Sequence, residues 1–361
     1  MLATDRWEQG SEFHWPAALL QTAAADRWPK VSTFWGSGRD ALRALLLHGK
    51  QTRGWRRLWI PAYFCQEVVE ALQSTSILLT VYSDGPQCAE PSTAALEFQP
   101  GDTILRVNFF GLRNLPSAAA LRAQRVEVID DHTHDPWSIS SSESDADWCL
   151  ASLRKTLPIP DGGVLWSPVG HRLPSLAPVT PERRLASLEK LAAMLLKELY
   201  LNGQLAAKQA FRQLALSGEA HIASGDVSAM PGWTRDLLSI FPVEEWRNMR
   251  HHNFMVLLDA LAALPWLEVL KPFQAQACPF SAVLLFDSSE RRSFVRRKLI
   301  EARAYPTVLW PLDAPVVAGI GEEFRDFSTR MLSIHCDMRY DEADLLHVAE
   351  LIKQFGADYA D

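Results

Sequence analysis

Short runs of core-type residues recur at a regular interval through the first half of the chain, and each is followed by a stretch with helical spacing. The run Leu58 to Cys65 ends in proline and aromatics and leads into Val68, Val69 and Leu72, which share one helix face. Ile77 to Tyr82, Thr103 to Asn108 and Val126 to Asp130 read as further strands, with an alanine-rich helical segment from Ser117 to Gln124 before the last. The segment Ser83 to Pro100 is polar and proline-bearing, so it reads as a surface connection. Strands that alternate with helices at this rhythm predict a mainly parallel sheet covered on both faces. Ligands of such sheets sit beyond the carboxyl ends of the strands. Those ends carry Tyr63 and Phe64, Asn108 and Phe109, Asp130 to His134, and Ser152 to Lys155.

The last of these ends has an unusual form. A short apolar run brings Ser152 and Lys155 out of the interior, then Pro158, Pro160 and the Asp161-Gly162-Gly163 turn reverse the chain before Val164 to Trp166. A lysine held on a stiff turn at a buried strand end is useful when its amine must be neutral and reactive. A surface lysine at a hairpin is the plain alternative.

Upstream, Gly36, Ser37, Gly38 and Arg39 form a turn before a helix whose Leu42, Leu45 and Leu46 share a face. Free N–H groups at a helix start beside a hydroxyl make an anion site such as a phosphate cradle, although small residues also cap helices that bind nothing.

Val128 to Asp135 is the densest titratable stretch. His132, His134 and the aspartates could hold a metal ion. One aspartate could instead pair with a protonated ring nitrogen of a cofactor, with a histidine orienting the same ring, or the groups could simply bond one another. The metal reading needs more ligands, and His251, His252 and His335 lie in segments assigned elsewhere. The cofactor reading needs a phosphate cradle before the cluster and a lysine after it. Both are present in that order, which favours it.

The totals narrow the partners. A chain of 361 residues with net charge −7 argues against nucleic-acid or anionic-membrane binding. Five scattered cysteines without C-x-x-C spacing predict a reducing, cytoplasmic setting. The amino terminus has no signal-peptide pattern, and no apolar run is long enough to span a bilayer. We expect residues 1–33 to form an arm packed on the main body, residues 34–264 a large domain and residues 265–361 a small α+β domain. Within the large domain, Pro181 to about Leu216 reads as a long helical scaffold that crosses toward the small one, with Leu185, Leu188, Leu191, Leu195 and Leu199 along it.

Gly36 to Leu42, Ile60 to Tyr63, Phe109 to Gly111, Val128 to His134, and Ser152 to Lys155 with Gly162 and Gly163 together resemble the DegT/DnrJ/EryC1/StrS family of sugar aminotransferases. The resemblance covers the order of motifs over about residues 30–170. It implies an α/β fold of the type I pyridoxal-phosphate class, with a mainly parallel seven-stranded sheet and a small C-terminal α+β domain. By the same resemblance, Lys155 would condense with the aldehyde of pyridoxal 5′-phosphate, Asp131 would hold the ring nitrogen protonated, and His134 would lie near the ring's phenolic oxygen. Ser37 and Gly38, with Arg39 beside them and Ser152 opposite, would receive the phosphate. Tyr63 or Phe64 would cover the ring face, next to the strand end at Asn108. The spacing from Ser152 to Lys155 is shorter than the family's, His132 and Thr133 replace small residues, and Gly232 to Arg235 lacks the asparagine of the family's partner-subunit motif.

The function this implies is transamination, from an amino-acid donor to a keto acceptor such as a nucleotide-linked keto sugar, by a homodimer. Alternatives are another reaction at Cα or Cβ with the same cofactor, such as elimination or racemisation, a metal-dependent hydrolase on Asp131, His132 and His134, or a non-catalytic binding scaffold. The 13 tryptophans could line a more apolar acceptor site, or belong to the core.

Overall fold

The structure is a computed structural model that describes residues 6–16, 20, 28, 29, 31–204 and 206–359. Part of the expected N-terminal arm therefore lies outside the described residues.

The strands, in chain order, are β1 (Gln9–Gly10), β2 (Ser32–Trp35), β3 (Arg57–Pro61), β4 (Leu78–Tyr82), β5 (Asp102–Val107), β6 (Glu127–Asp131), β7 (Trp148–Ser152), β8 (Gly163–Trp166), β9 (Leu267–Val269), β10 (Ala282–Phe286), β11 (Ala304–Tyr305) and β12 (Met331–Ile334). Seven form one sheet in the order β2-β8-β7-β6-β5-β3-β4. The neighbours from β4 through β7 pair parallel, whereas β8 runs antiparallel to both β7 and β2. The predicted parallel sheet is thus present, and the reversal at Asp161 to Gly163 is the one place where the chain doubles back within it.

Burial explains the pattern. Every residue of β5 is buried, as expected for a strand with helices on both faces. One apolar layer gathers Leu42, Leu45, Leu46, Leu58, Ile60, Leu105 and Ile129; the other gathers Ile104, Val128, Cys149, Ala151 and Val164. Polar side chains inside the sheet are paired, as burial demands. Arg106 of β5 donates to both oxygens of Asp130 on β6, at 2.8 and 3.0 Å, and Arg113 grips Asp84 in the same two-pronged way at 2.8 and 2.7 Å.

A second sheet, β12-β10-β9, is antiparallel and packs its apolar face on Phe254, Leu257, Val295, Leu345 and Ile352. The N-terminal segment departs from expectation. Strand β1 runs parallel to β11, so residues 9–10 lie against the C-terminal part of the chain instead of the large sheet. Strand β2 already begins at Ser32, inside the range assigned to the arm.

The long scaffold predicted from Pro181 is two helices, Pro181–Leu201 and Lys208–Ser224, separated at Asn202 and Gly203, where Gly203 takes a φ of 79°. Its leucine row also faces the unexpected way. Leu185, Leu188, Leu195 and Leu199 are exposed, while Arg183, Lys190 and Lys197 are buried. The buried cations have partners that outweigh the leucines: Arg183 donates to Asp40, Lys190 to Glu219 and Lys197 to the Glu12 carbonyl.

Candidate active site

The helix Gly38–Thr52 follows β2 directly, so its start points at the carboxyl ends of β6 and β7. Ser37 is its N-cap, and its Oγ accepts the Asp40 N–H at 3.0 Å, while the Ser37 carbonyl accepts from Ala41. That leaves the N–H groups of Gly38 and Arg39, the first two helical positions, without intrahelical acceptors. With the helix dipole behind them they form an anion cradle. The cradle depends on close approach. A Cβ on Gly38 would stand 2.8 Å from the Ser152 Cβ, and one on Gly163 would stand 2.4 Å from the backbone of Ser37. Gly163→Ala must push the helix start off β8, and we expect it to cost about 1–3 kcal/mol, read as a lower unfolding midpoint.

One cavity collects this helix start with the strand ends. It is lined by Ser37, Gly38, Arg39, Phe64, Asp131, Thr133, His134, Ser152, Lys155 and Trp310, among others. Eight of the ten candidate residues therefore meet; Tyr63 and Asn108 do not line it. The Tyr63 ring packs edge-on to Phe109, Phe110 and Phe327, and its hydroxyl donates to the Leu309 carbonyl, because a fully buried phenol must spend its O–H on a partner. Phe64 is the aromatic at that strand end which faces the cavity. Asn108 acts through its backbone: its N–H donates to the Asp131 carbonyl at 3.0 Å, and its carbonyl lies 3.2 Å from His134 Nδ1.

Asp131 is buried, and its Oδ1 accepts the Thr133 N–H at 2.8 Å. Burial raises its carboxyl to about 6, against the opposing pull of the Thr133 hydrogen bonds. A cation placed against it would hold it ionised. His134 is buried among Phe110, Phe280 and Trp310, with ring centroids 5.3, 5.1 and 5.3 Å away. Burial lowers it to about 3, so the ring is neutral near pH 7. Nδ1 lies 3.2 Å from both the Phe110 N–H and the Asn108 carbonyl, which fix the plane of the ring.

Lys155 closes the short 3₁₀ turn after β7. Its side chain is exposed by area, but that area faces the cavities it lines, and protein atoms crowd it on all sides. Loss of hydration lowers the amine's pKa, and the Arg154 charge lowers it further. Arg154 is itself held by Glu219, which also takes Lys190.

His132 does not join the cavity, which corrects the metal-site alternative. Alternation along the strand end turns it to the opposite side from Asp131, where it is fully buried, stacked on Trp166 and 4.0 Å from Asp130. Among the described residues the one three-ligand cluster is Asp130, His132 and Cys149, with Asp130 already taken by Arg106. Asp131, His132 and His134 therefore do not converge on a common ion.

The segment Gly232 to Arg235 forms the start of a short helix, with the Arg235 guanidinium over the Phe34 ring at 4.7 Å. Trp310 is the cavity residue that sequence reasoning missed. It comes from the loop after β11, takes a φ of 55°, and touches Phe64 and His134.

No family model matches the chain, and no curated protein matches it. Solved structures do. The chain is similar to PseC of Helicobacter pylori, an aminotransferase involved in pseudoaminic acid biosynthesis, with TM-score 0.62 and 10% identity over 91% of this chain and 87% of that one. It is similar to the sugar aminotransferase CalS13 of Micromonospora echinospora, with TM-score 0.57 and 14% identity over 90% and 87%. It is also similar to Spr1654 of Streptococcus pneumoniae in its PLP form, with TM-score 0.59 and 12% identity over 91% and 87%. The chain has the fold that these proteins share, the mixed α/β fold of type I expected from its motifs.

Proposed function

We propose that the chain is a pyridoxal-phosphate-dependent aminotransferase that moves an amino group from an amino-acid donor to a keto acceptor, a nucleotide-linked keto sugar being the class favoured by its structural relatives. One observation carries this reading: Lys155, Asp131, His134 and the helix start at Ser37 to Arg39 line a single cavity. The donor set suits the cofactor. The helix start at Gly38 and Arg39, with the Ser152 hydroxyl opposite, matches a phosphate; the buried carboxyl of Asp131 matches a protonated ring nitrogen; the amine of Lys155 matches an aldehyde.

When bound, the cofactor supplies an electron sink that stabilises negative charge at the donor's Cα. Asp131 would keep the ring nitrogen protonated, and the His134 ring would be available to the phenolic oxygen. Phe64 and Trp310, which line the cavity, would shield the cofactor from water. The Lys155 amine, whose surroundings favour its neutral form, would take the Cα proton from the donor in one half of the cycle and deliver a proton to the acceptor carbon in the other. The reading includes a homodimer in a reducing compartment, and the exposed row Leu185, Leu188, Leu195 and Leu199 supports self-association, because it is an apolar face that a single copy leaves in water. It also includes the division into a large unit, 34–264, and a small one, 265–361. Among the described residues no helix is long and apolar enough to cross a membrane.

The test is spectroscopic. The protein mixed with pyridoxal 5′-phosphate should develop an absorption band at about 410–430 nm, and borohydride should bleach it and leave the added mass on the peptide that contains Lys155. No band, or mass on another lysine, would end this reading.

A further inference from the structure

Lys155 shares its turn with a second cation. Arg154 precedes it in the 3₁₀ turn Leu153–Lys155, and both side chains line the same two cavities, the one that holds Asp131 and a second of about 210 Å³ beside it. Two cations side by side at a strand end repel each other, so the arrangement needs an anchor. That anchor is Glu219 on the helix Lys208–Ser224, whose Oε1 accepts from Arg154 Nη1. Gly218 lets this helix come close to its neighbour Pro181–Leu201: a Cβ there would stand 2.5 Å from the Lys190 side chain and 3.1 Å from the Ala186 carbonyl.

The surrounding charges leave Arg154 in excess. Glu219 accepts from Lys190 with the same oxygen, so one carboxylate serves two cations, and the Arg154 Nε is buried without a partner. Most other charged groups that face Lys155 are matched among themselves. Arg39 at the helix start pairs with Glu67 of the helix Gln66–Gln73 at 3.5 Å, and Arg339 pairs with Asp337 at 2.7 Å across the second cavity. Arg250, on the helix Val243–Ala260, meets Asp135 at 3.3 Å and shares it with Arg247. Glu12, from the N-terminal segment, is exposed, and water screens it. Burial pushes the Cys65 thiol up and the His134 and His335 rings down, so all three are neutral near pH 7. Asp131 faces the cavity in which the cofactor's ring nitrogen would take its charge. Burial itself acts most strongly against the charged form of the Lys155 amine, and Arg154 is the strongest of the neighbouring charges that add to it.

We propose that Arg154 is a positioning residue for the proton transfer at Lys155: anchored by Glu219, it keeps a fixed cation beside the amine, which favours the amine without its proton at neutral pH. The catalytic purpose rests on the function proposed above; the charge arrangement does not.

The test reads the amine itself in the full chain. Competitive labelling of the cofactor-free protein with trace acetic anhydride, followed by mass spectrometry of the peptide that contains Lys155, gives the pH midpoint of that one amine. Arg154→Met should move the midpoint up by about one pH unit, the order expected of a neighbouring unit charge in a partly buried site. Arg154→Lys, which keeps a cation on the turn, should stay close to wild type. On addition of pyridoxal 5′-phosphate at pH 7, the band at about 410–430 nm should appear more slowly in Arg154→Met, by up to about tenfold, and the deficit should close as pH rises. Lys190 still satisfies Glu219 in both variants, so the fold should persist, checked by the unfolding midpoint. An unchanged labelling midpoint in Arg154→Met would overturn the proposal, as would an equal rise in Arg154→Lys, because packing rather than charge would then be at work. A wild-type protein that never develops the band would overturn the proposed function, and with it the catalytic purpose, by a result independent of the labelling.

Discussion

Lys155→Ala is expected to abolish the 410–430 nm band and lower the transamination rate by at least about 10⁴-fold, while leaving the fold intact. The chemical part follows from the site, because no other amine lines the cavity that holds Asp131, His134 and the helix start. The structural part follows from what Lys155 lacks. Among the described residues its amine makes no hydrogen bond or ion pair, it is crowded by protein, and its neighbour on the turn is a second cation, Arg154. Removing a crowded amine that makes no hydrogen bond takes away a desolvation cost instead of an interaction, so the unfolding midpoint should stay the same or rise slightly. Lys155→Arg sharpens the experiment. It keeps a cation of similar length that does not deprotonate near neutrality, and it should be as inactive as the alanine variant. Appreciable turnover in either variant, with the wild-type fold retained, would remove Lys155 from the chemistry.

The sequence carried the elements nearest this site most clearly, and the reason is physical. Strands buried on both faces, such as Asp102–Val107 and Glu127–Asp131, read as apolar runs, and a Gly-Ser-Gly turn before leucines at helical spacing marks the helix start at Gly38. Side-chain direction was harder to read. Asp131, His132 and His134 are neighbours in sequence, but the pleat turns His132 away to Trp166, and the turn at residues 133–134 brings His134 back to the cavity that Asp131 faces. Tyr63 and Phe64 pose the same ambiguity two strands over. The leucine row of Pro181–Leu201 misled for a different reason: periodicity finds an apolar stripe but not whether the opposite face is needed to neutralise carboxylates such as the buried Asp40 and the half-buried Glu219. Trp310 reaches the site from far along the chain, inside a segment with no motif of its own, so nothing local announces it.

Asp131→Asn should separate the carboxylate's role in chemistry from its effect on folding, because the two have opposite signs. The folded protein without cofactor holds Asp131 at about 6, against an ordinary value of 3.8. Between those two values the folded state binds more protons than the unfolded state, so stability contributed by this group falls as pH rises through that window and is fully lost above it. Roughly two units correspond to a penalty on the order of 2–3 kcal/mol at pH 8. Asparagine carries no charge to desolvate, and its Oδ1 can still accept the Thr133 N–H. The cofactor-free variant should therefore unfold at a higher temperature than wild type at pH 8, with the difference vanishing near pH 4. Activity should move the other way, falling by about 10³-fold even with excess pyridoxal 5′-phosphate, since a neutral amide cannot hold a proton on the ring nitrogen where charge develops. A variant that is both less stable at pH 8 and normally active would mean that Asp131 is an ordinary strand-end carboxylate, satisfied by Thr133 and unconnected with any cation.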